Sequence, residues 1–189
     1  METDSLHPLL SGRFSPSRFD PSREVADRDV EALLEAARWS PSAGNSQPWA
    51  FILARRGEET HARLVAHIAG SAARWAPDAS LLVVNLVHRY VEDTEWDYSE
   101  FSLYDLGQAV ANMTLQAQAL GMGVRQFRAF DRAALESEFD VDPHWEVATM
   151  AAYGWPDASL TEDPTSSPAS RQRRPAEELL WPAARDAAR

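Results

Sequence analysis

Apolar residues recur along the chain at two periods, and each change of period marks an element. Val30, Leu33, Leu34 and Ala37 fall at i, i+3, i+4 and i+7, which predicts a helix from about Asp27 to Trp39 with Asp27 as its cap. The helix is expected to stop at Ser40-Pro41, because a proline disfavours helical geometry in the residue before it. Trp49–Ala54 reads as a short strand and Leu81–His88, apolar almost throughout, as a buried one, with a helix over Glu58–Ile68 between them. The acidic and aromatic stretch from Val91 to Glu100 reads as a surface loop. From Phe101 to Leu120, the residues Leu103, Leu106, Val110, Met113, Ala117 and Leu120 step by three and four along one helical stripe, with Gly121 and Gly123 as the stop. Ala109, Ala111 and Ala119 add a second apolar face, so this helix is expected in a core or a subunit interface. An extended Val124–Phe130, a short helix over Arg132–Phe139 and a strand over Val147–Tyr153 follow. Asp157–Ser170 then reads as a loop and Ala176–Trp181 as a last amphipathic piece. No internal repeat is evident, and strands separated by helices predict an α/β or α+β layer fold.

At 189 residues the chain suits one domain, taken as residues 13–181, with an arm over 1–12 and a tail over 182–189. A hydrophobic fraction of 44% supplies a sizeable core and rules out global disorder. What is missing is more informative. The chain has no cysteine, which removes thiolate nucleophiles, disulfides, iron–sulfur clusters and cysteine-ligated zinc. All 18 basic residues are arginine, so Schiff-base lysine chemistry and the lysine of a phosphate-binding P-loop are excluded. An anion must be met by guanidinium forks, backbone N–H groups or helix N-termini. The net charge of −11 argues against nucleic acid and anionic membrane as partners. Neither a targeting signal nor a membrane-spanning run is expected, which makes the cytoplasm the default location. Arginine and alanine richness without lysine points to a GC-rich bacterial coding sequence. His88 and His144 stand apart from other ligand types, and no metal site is expected.

Three polar clusters could carry chemistry. Arg13, Ser15, Ser17 and Arg18 form a plausible phosphate clamp, two guanidiniums with hydroxyls between them; the alternative is a solvated loop. The second cluster is Pro41-Ser42-Ala43-Gly44-Asn45-Ser46-Gln47-Pro48-Trp49, whose prolines and glycine fix a tight path lined by amides and hydroxyls. Amides suit a heterocycle with alternating N–H and C=O edges, or the segment is a capped turn with Trp49 as core filler. The third is Arg171, Arg173 and Arg174, which would complete a phosphate site if the chain returns to the first cluster, and is otherwise a solvated face.

These residues carry a resemblance. Arg13-x-Ser15 followed by Phe19-Asp20, and then Trp39 to Trp49, resemble the N-terminal signature of the nitroreductase family of FMN-dependent NAD(P)H oxidoreductases. Tyr104-Asp105-Leu106-Gly107-Gln108-Ala109-Val110-Ala111-Asn112-Met113 is similar to that family's long central helix. Ala134-Leu135 to Phe139, Ala151 to Pro156 and Arg171-x-Arg173-x-Pro175 resemble its C-terminal half, in the same order over roughly residues 12 to 180. The resemblance implies an α+β, three-layer fold with a central, mainly antiparallel sheet flanked by helices. It also implies a domain-swapped homodimer with FMN at the subunit interface.

By the same resemblance, Arg13, Phe14, Ser15, Ser17, Arg18, Arg171 and Arg173 would lie at the FMN, with Arg13, Ser15, Arg171 and Arg173 holding its phosphate. Pro41, Ser42 and Ala43 would approach from the partner subunit, with Asn45 and Gln47 securing that loop or reaching the ring system. Arg128 and Ala129 fall where the family runs backbone past the flavin's reactive edge, so that an N–H there could bond to N5, the atom that takes the hydride. Residues beyond Leu179 would wrap over the neighbouring subunit. Trp96, Tyr98 and Phe101 fall where the family varies its substrate cover, or else they are interface packing. Two departures stand out. Phe14 replaces a frequent second arginine, and Ser17 replaces a basic residue that faces the flavin N1–C2=O edge, a place that Arg18, Arg63 or Arg74 would then fill.

The implied activity is ping-pong hydride transfer from NADH or NADPH through flavin N5 to a nitroaromatic, quinone or similar small-molecule acceptor. No protein residue is needed as a catalytic acid or base, because the isoalloxazine carries the chemistry. The alternatives are a protein that stores FMN without turnover, and a relative with dehalogenating or oxygen-dependent flavin chemistry.

Overall fold

Seven of the eight residues of strand β2 (Leu81–His88) are buried, which fixes it inside the sheet rather than at an edge. The structure is a computed structural model that describes residues 6–91, 94–157 and 173–181. Strands β1 (Trp49–Arg55) and β4 (Trp145–Gly154) flank β2, and β3 (Gly123–Phe127) pairs with the outer side of β4. The order is β1-β2-β4-β3, every pair antiparallel.

Alternation along β2 sends Leu81, Val83 and Val87 to one face and Leu82, Val84 and Leu86 to the other. Helices α2 (Asp27–Arg38) and α4 (Ser102–Ala119) cover the first face, burying Leu33, Ala37, Ala109, Met113 and Ala117. Helices α3 (Glu59–Ala66) and α5 (Arg132–Glu138), with two single 3₁₀ turns at Ala72–Arg74 and Ala76–Asp78, cover the second, burying Leu64, Trp75 and Leu135. The result is the expected three-layer α+β arrangement. On β4 the register jumps between the partners of Asn85 and Leu86, leaving Ala148 unpaired. This bulge lets Val147 stay on the second face while Ala148 turns towards α4.

Several local readings change. Residues 1–12 are not wholly a loose arm: Pro8–Ser11 form one helical turn, α1, capped by the His7 side chain. Helix α2 is capped at Ala26, and Asp27 lies in its first turn with its carboxylate 2.6 Å from Arg55 Nη2. A partner from another element has drawn Asp27 away from the cap. Leu103 is not on the buried stripe of α4; it is 51% exposed and belongs with Tyr104, Gly107 and Ala111 to an outer face. The stretch after β2 is a hairpin, not an open loop. Val91 N donates to Trp96 O at 2.9 Å, Tyr98 N to Arg89 O at 2.9 Å, and Arg89 pairs with Asp97 at 3.3 Å.

Candidate functional site

The first cluster sits where the N-terminal segment crosses the ends of β3 and β4. Gly123 and Gly154 are register partners there, and both face the segment. A Cβ on Gly123 would lie 2.4 Å from Pro16 Cγ, and one on Gly154 would lie 3.0 Å from Phe19 Cδ1. The two glycines form a flat shelf that lets Pro16 and Phe19 lie down on the sheet. Pro16 O accepts from Arg125 Nη1 at 3.2 Å, and the Arg125 guanidinium lies 4.3 Å from the Trp75 ring centroid, where burial lowers its pKa. Beyond Phe19 the segment pairs with the strand end: Asp20 N donates to Trp155 O at 2.8 Å and Asp157 N to Arg18 O at 3.3 Å. Ser80 Oγ then accepts from Val25 N at 2.7 Å and donates to Arg23 O at 3.1 Å. Fixed at both ends, the segment presents Ser15, Ser17 and Arg18 as exposed and Arg13 as half-buried. Phe14, with Gly12, Gln118, Met122 and Pro156, lines a cavity of about 140 Å³ beside them.

The second cluster is built by a strained backbone. Gly44, Asn45 and Gln47 all adopt left-handed geometry, with φ of 59°, 57° and 49°. A non-glycine residue there costs about 1–3 kcal/mol, so two in one loop need compensation. Compensation comes from a short polar net. Ser42 Oγ accepts from Gln47 N at 3.0 Å, Asn45 N donates to Ser42 O at 3.0 Å, and the buried carboxylate of Asp105 accepts from Ala43 N at 2.9 Å. Pro41, Ala43, Asn45 and Gln47 are left exposed along one edge.

The two clusters do not meet within one chain. Antiparallel register puts Leu81 opposite Tyr153 and His88 opposite Trp145. The Arg13–Arg18 segment therefore lies beyond one end of the sheet, and Pro41–Gln47, which leads into Trp49 opposite Val87, lies beyond the other. Eight residues of β2 place the two ends about 25 Å apart. Arg128 and Ala129 follow β3 and are held by their carbonyls: Ala69 N donates to Ala129 O at 2.9 Å and Phe130 N to Arg128 O at 3.0 Å. The Ala129 N–H is left without an acceptor among the described residues. Arg173 is exposed, while Arg171 lies outside the described residues. Of the arginines considered for the N1–C2=O edge, Arg63 is committed to Glu138 at 2.6 Å, whereas Arg18 and Arg74 form no ion pair among the described residues.

The aromatic trio divides. Tyr98 stacks on His88 with centroids 3.9 Å apart, and His88 stacks in turn on Trp145 at 4.9 Å. His88 is thus not isolated; it is the middle of a three-ring pile that ties the hairpin to the sheet. Trp96, 76% exposed, lies opposite Val91 on the hairpin's returning arm, and Phe101, 48% exposed, caps α4. Sequence reasoning did not single out Asp105 or Asn112, or the Gly123–Gly154 pair. An acid within one turn of the buried Ala109, on an otherwise apolar stripe, was the available signal.

Comparison with known proteins agrees with this geometry. The model of the nitroreductase family matches residues 10–91. The chain is 36% identical over 84 residues to the oxygen-insensitive NAD(P)H nitroreductase of Salmonella typhimurium, covering 43% of this chain and 38% of that one. It is 27% identical over 177 residues to the 5,6-dimethylbenzimidazole synthase of Rhodospirillum rubrum, covering 81% and 82%. The structure superposes with a TM-score of 0.73 and 29% identity on a protein from Desulfovibrio desulfuricans, described as a candidate nitroreductase in complex with FMN, over 92% of this chain and 95% of that one. The family model covers both the segment on the glycine shelf and the strained loop, and the superposition extends over most of the chain, so the chain is similar to the nitroreductase family in sequence over residues 10–91 and in fold over most of its length.

Proposed function

We propose that the chain is an FMN-dependent NAD(P)H oxidoreductase that works as a homodimer and reduces an electrophilic small molecule, such as a nitroaromatic or a quinone. The observation that carries this reading is the separation of two pre-formed donor sets at opposite ends of one sheet. Each is half a site, so a whole site made from both needs two copies. The outer face of α4, with Leu103, Tyr104, Gly107 and Ala111 exposed, is the surface on which the copies would meet.

The residues fit FMN by chemistry. A phosphate monoester calls for guanidinium forks and hydroxyls, which Arg13, Ser15, Ser17 and Arg18 supply together with Arg173 and Arg171 from the chain's end. The exposed amides of Asn45 and Gln47, and the backbone of Pro41, Ser42 and Ala43, suit a heterocycle's edge presented by the other copy. The Ala129 N–H would donate to a ring nitrogen, a reading supported by the engagement of the Arg128 and Ala129 carbonyls elsewhere. Bound FMN would supply hydride exchange at N5, alternately with NADH or NADPH and with the acceptor. Trp96 would cover that face, steered by the Tyr98–His88–Trp145 pile. A second reading, a flavin chemistry other than acceptor reduction, is supported by the similarity to the Rhodospirillum rubrum synthase over most of the chain.

The test is an absorbance spectrum after FMN addition and desalting, followed by anaerobic NADH and then NADPH. Bands near about 370 and 450 nm that bleach on nicotinamide addition are expected. Flavin that binds without bleaching indicates storage, and product analysis under air identifies the second reading. Absence of bound flavin overturns the proposal. The Arg13→Ala/Arg173→Ala double variant is expected to lose flavin on desalting, and full retention would overturn the phosphate assignment.

A further inference from the structure

We infer that Asp105 and Asn112 of α4 are positioning residues that hold the Pro41–Gln47 loop in its strained, ligand-ready shape. The inference rests on the FMN reading for its functional consequence, though not for the geometry itself. Asp105 is 2% exposed, and a buried carboxylate is costly unless its oxygens are bonded. Its Oδ2 accepts from Ala43 N at 2.9 Å and its Oδ1 from Gln108 Nε2 at 3.3 Å. Within the loop, Asn45 N, Ser46 N and Gln47 N find acceptors locally, on Ser42 O, Ala43 O and Ser42 Oγ, whereas Ala43 N finds none there. The Ala43 N–H is therefore the orphan donor at the start of the turn, and Asp105 is the group that satisfies it.

A second anchor lies two turns further along the helix. Asn112 Nδ2 donates to Ser40 Oγ at 2.7 Å, and Ser40 Oγ donates to Ala36 O at 3.2 Å, fixing the point where the chain leaves α2. Asp105 and Asn112 are seven residues apart, so both lie on one face of α4, about 10.5 Å apart along its axis. The three steps from Ser40 to Ala43 span about 10 Å when extended, and Ser42 is extended, with φ −146° and ψ 153°. The helix thus acts as a ruler that holds Ser40-Pro41-Ser42-Ala43 taut. The left-handed residues Gly44, Asn45 and Gln47 follow directly from the taut end. Without the Asp105 bond, the segment is free to shorten, and the turn behind it loses the reason for its positive φ values.

The experiment compares Asp105→Leu, which fills the space without an acceptor, with Asp105→Asn, which keeps one, and with Asn112→Ala, which releases only the Ser40 end. Amide hydrogen exchange on the protein without added FMN reads the geometry, and FMN titration reads the function. Asp105→Leu is expected to speed exchange at Ala43 by about tenfold or more and to weaken FMN binding by about tenfold, the scale of one lost charge-assisted bond. Core amides of β2 should be unchanged. Asp105→Asn should restore both readouts to within about threefold, and Asn112→Ala should speed exchange at Ser40–Ser42 first. Ala43 exchange and FMN affinity equal to wild type in Asp105→Leu would overturn the inference. Should Asp105→Leu not fold, wild-type exchange and affinity in Asn112→Ala would overturn it equally. If wild type itself binds no FMN, the functional proposal fails while hydrogen exchange still decides the clamp.

Discussion

Replacing Gly123 by alanine tests whether the glycine shelf is what seats the Arg13–Arg18 segment. The added Cβ would lie 2.4 Å from Pro16 Cγ, 3.1 Å from Pro16 Cδ and 3.4 Å from Pro156 Cγ. Carbon atoms in contact sit at about 3.5–4.0 Å, so the Pro16 ring must retreat by more than 1 Å. It has little room: its carbonyl is held by Arg125, its ring cannot change φ, and Phe19 three residues on is 1% exposed. Overpacking of this kind costs about 1–3 kcal/mol, offset by about 0.5–1 kcal/mol from replacing a strand glycine. At the middle of both ranges the net loss is about 1 kcal/mol, which lowers Tm by about 2–4 °C for a chain of this length. The same displacement should free the segment locally. Trypsin cuts this lysine-free chain only after arginine, so mass-resolved proteolysis can follow Arg13 and Arg18 individually. Their cleavage is expected to accelerate about tenfold in Gly123→Ala, with weaker FMN retention. A variant that melts within 1 °C of wild type, with unchanged cleavage at both sites, would refute the role given to the shelf.

Two further outcomes follow from other parts of the molecule. His61 on α3 is 7% exposed with Nε2 unpartnered, and burial lowers its pKa below the ordinary 6.5. The unfolded chain then binds more protons than the folded one as pH drops below about 6.5, so wild-type stability should fall from pH 7 towards pH 5. In His61→Leu that slope should flatten, and stability at pH 7 should hold or rise by up to about 1 kcal/mol in urea melts. The lowered carboxylates Asp20, Glu35 and Glu138 act in the same sense at lower pH, their contribution fading from about pH 5 downward as the unfolded chain's carboxylates take up protons, so the loss between pH 7 and about pH 5 is the histidine's. Gly107 has nothing within 4 Å of a built Cβ, so Gly107→Ala should favour the helix of an isolated copy by about 1 kcal/mol. If the outer face of α4 joins two copies as proposed, the added methyl should instead weaken the dimer about tenfold in sedimentation, and an unchanged dimer would place the interface elsewhere.

Much of this was legible in the sequence because the elements are strongly patterned. Leu81–His88 was bounded correctly, since an unbroken apolar run of that length suits a strand covered on both faces. Alternation alone could not reveal that its neighbours are β1 and β4, because the partner Trp145–Gly154 lies some sixty residues away and carries a bulge that interrupts its own period. Asp27 was misread as a cap because the Arg55 guanidinium that captures it comes from a strand. His88 looked solitary because its partners, Tyr98 and Trp145, are brought together only by the hairpin and the sheet. In the candidate site, residues with recognisable chemistry were found by inspection. The groups that hold them, Asp105, Asn112 and the glycine pair, were not, because support is a property of position rather than of residue type.

The strand order also has a consequence for how the chain is made. β2 is the most apolar strand, and until β4 exists it has β1 on one side and a bare hydrogen-bonding edge on the other. From His88 to Gly154 the ribosome must add 66 residues, which takes about 3–13 s at ordinary elongation rates. During that time the nascent chain displays an apolar edge open to pairing with another chain. Expression at lower temperature slows the chemistry of synthesis and weakens hydrophobic association alike. The yield of soluble protein should therefore depend on what meets that edge before Trp145–Gly154 arrives to close it.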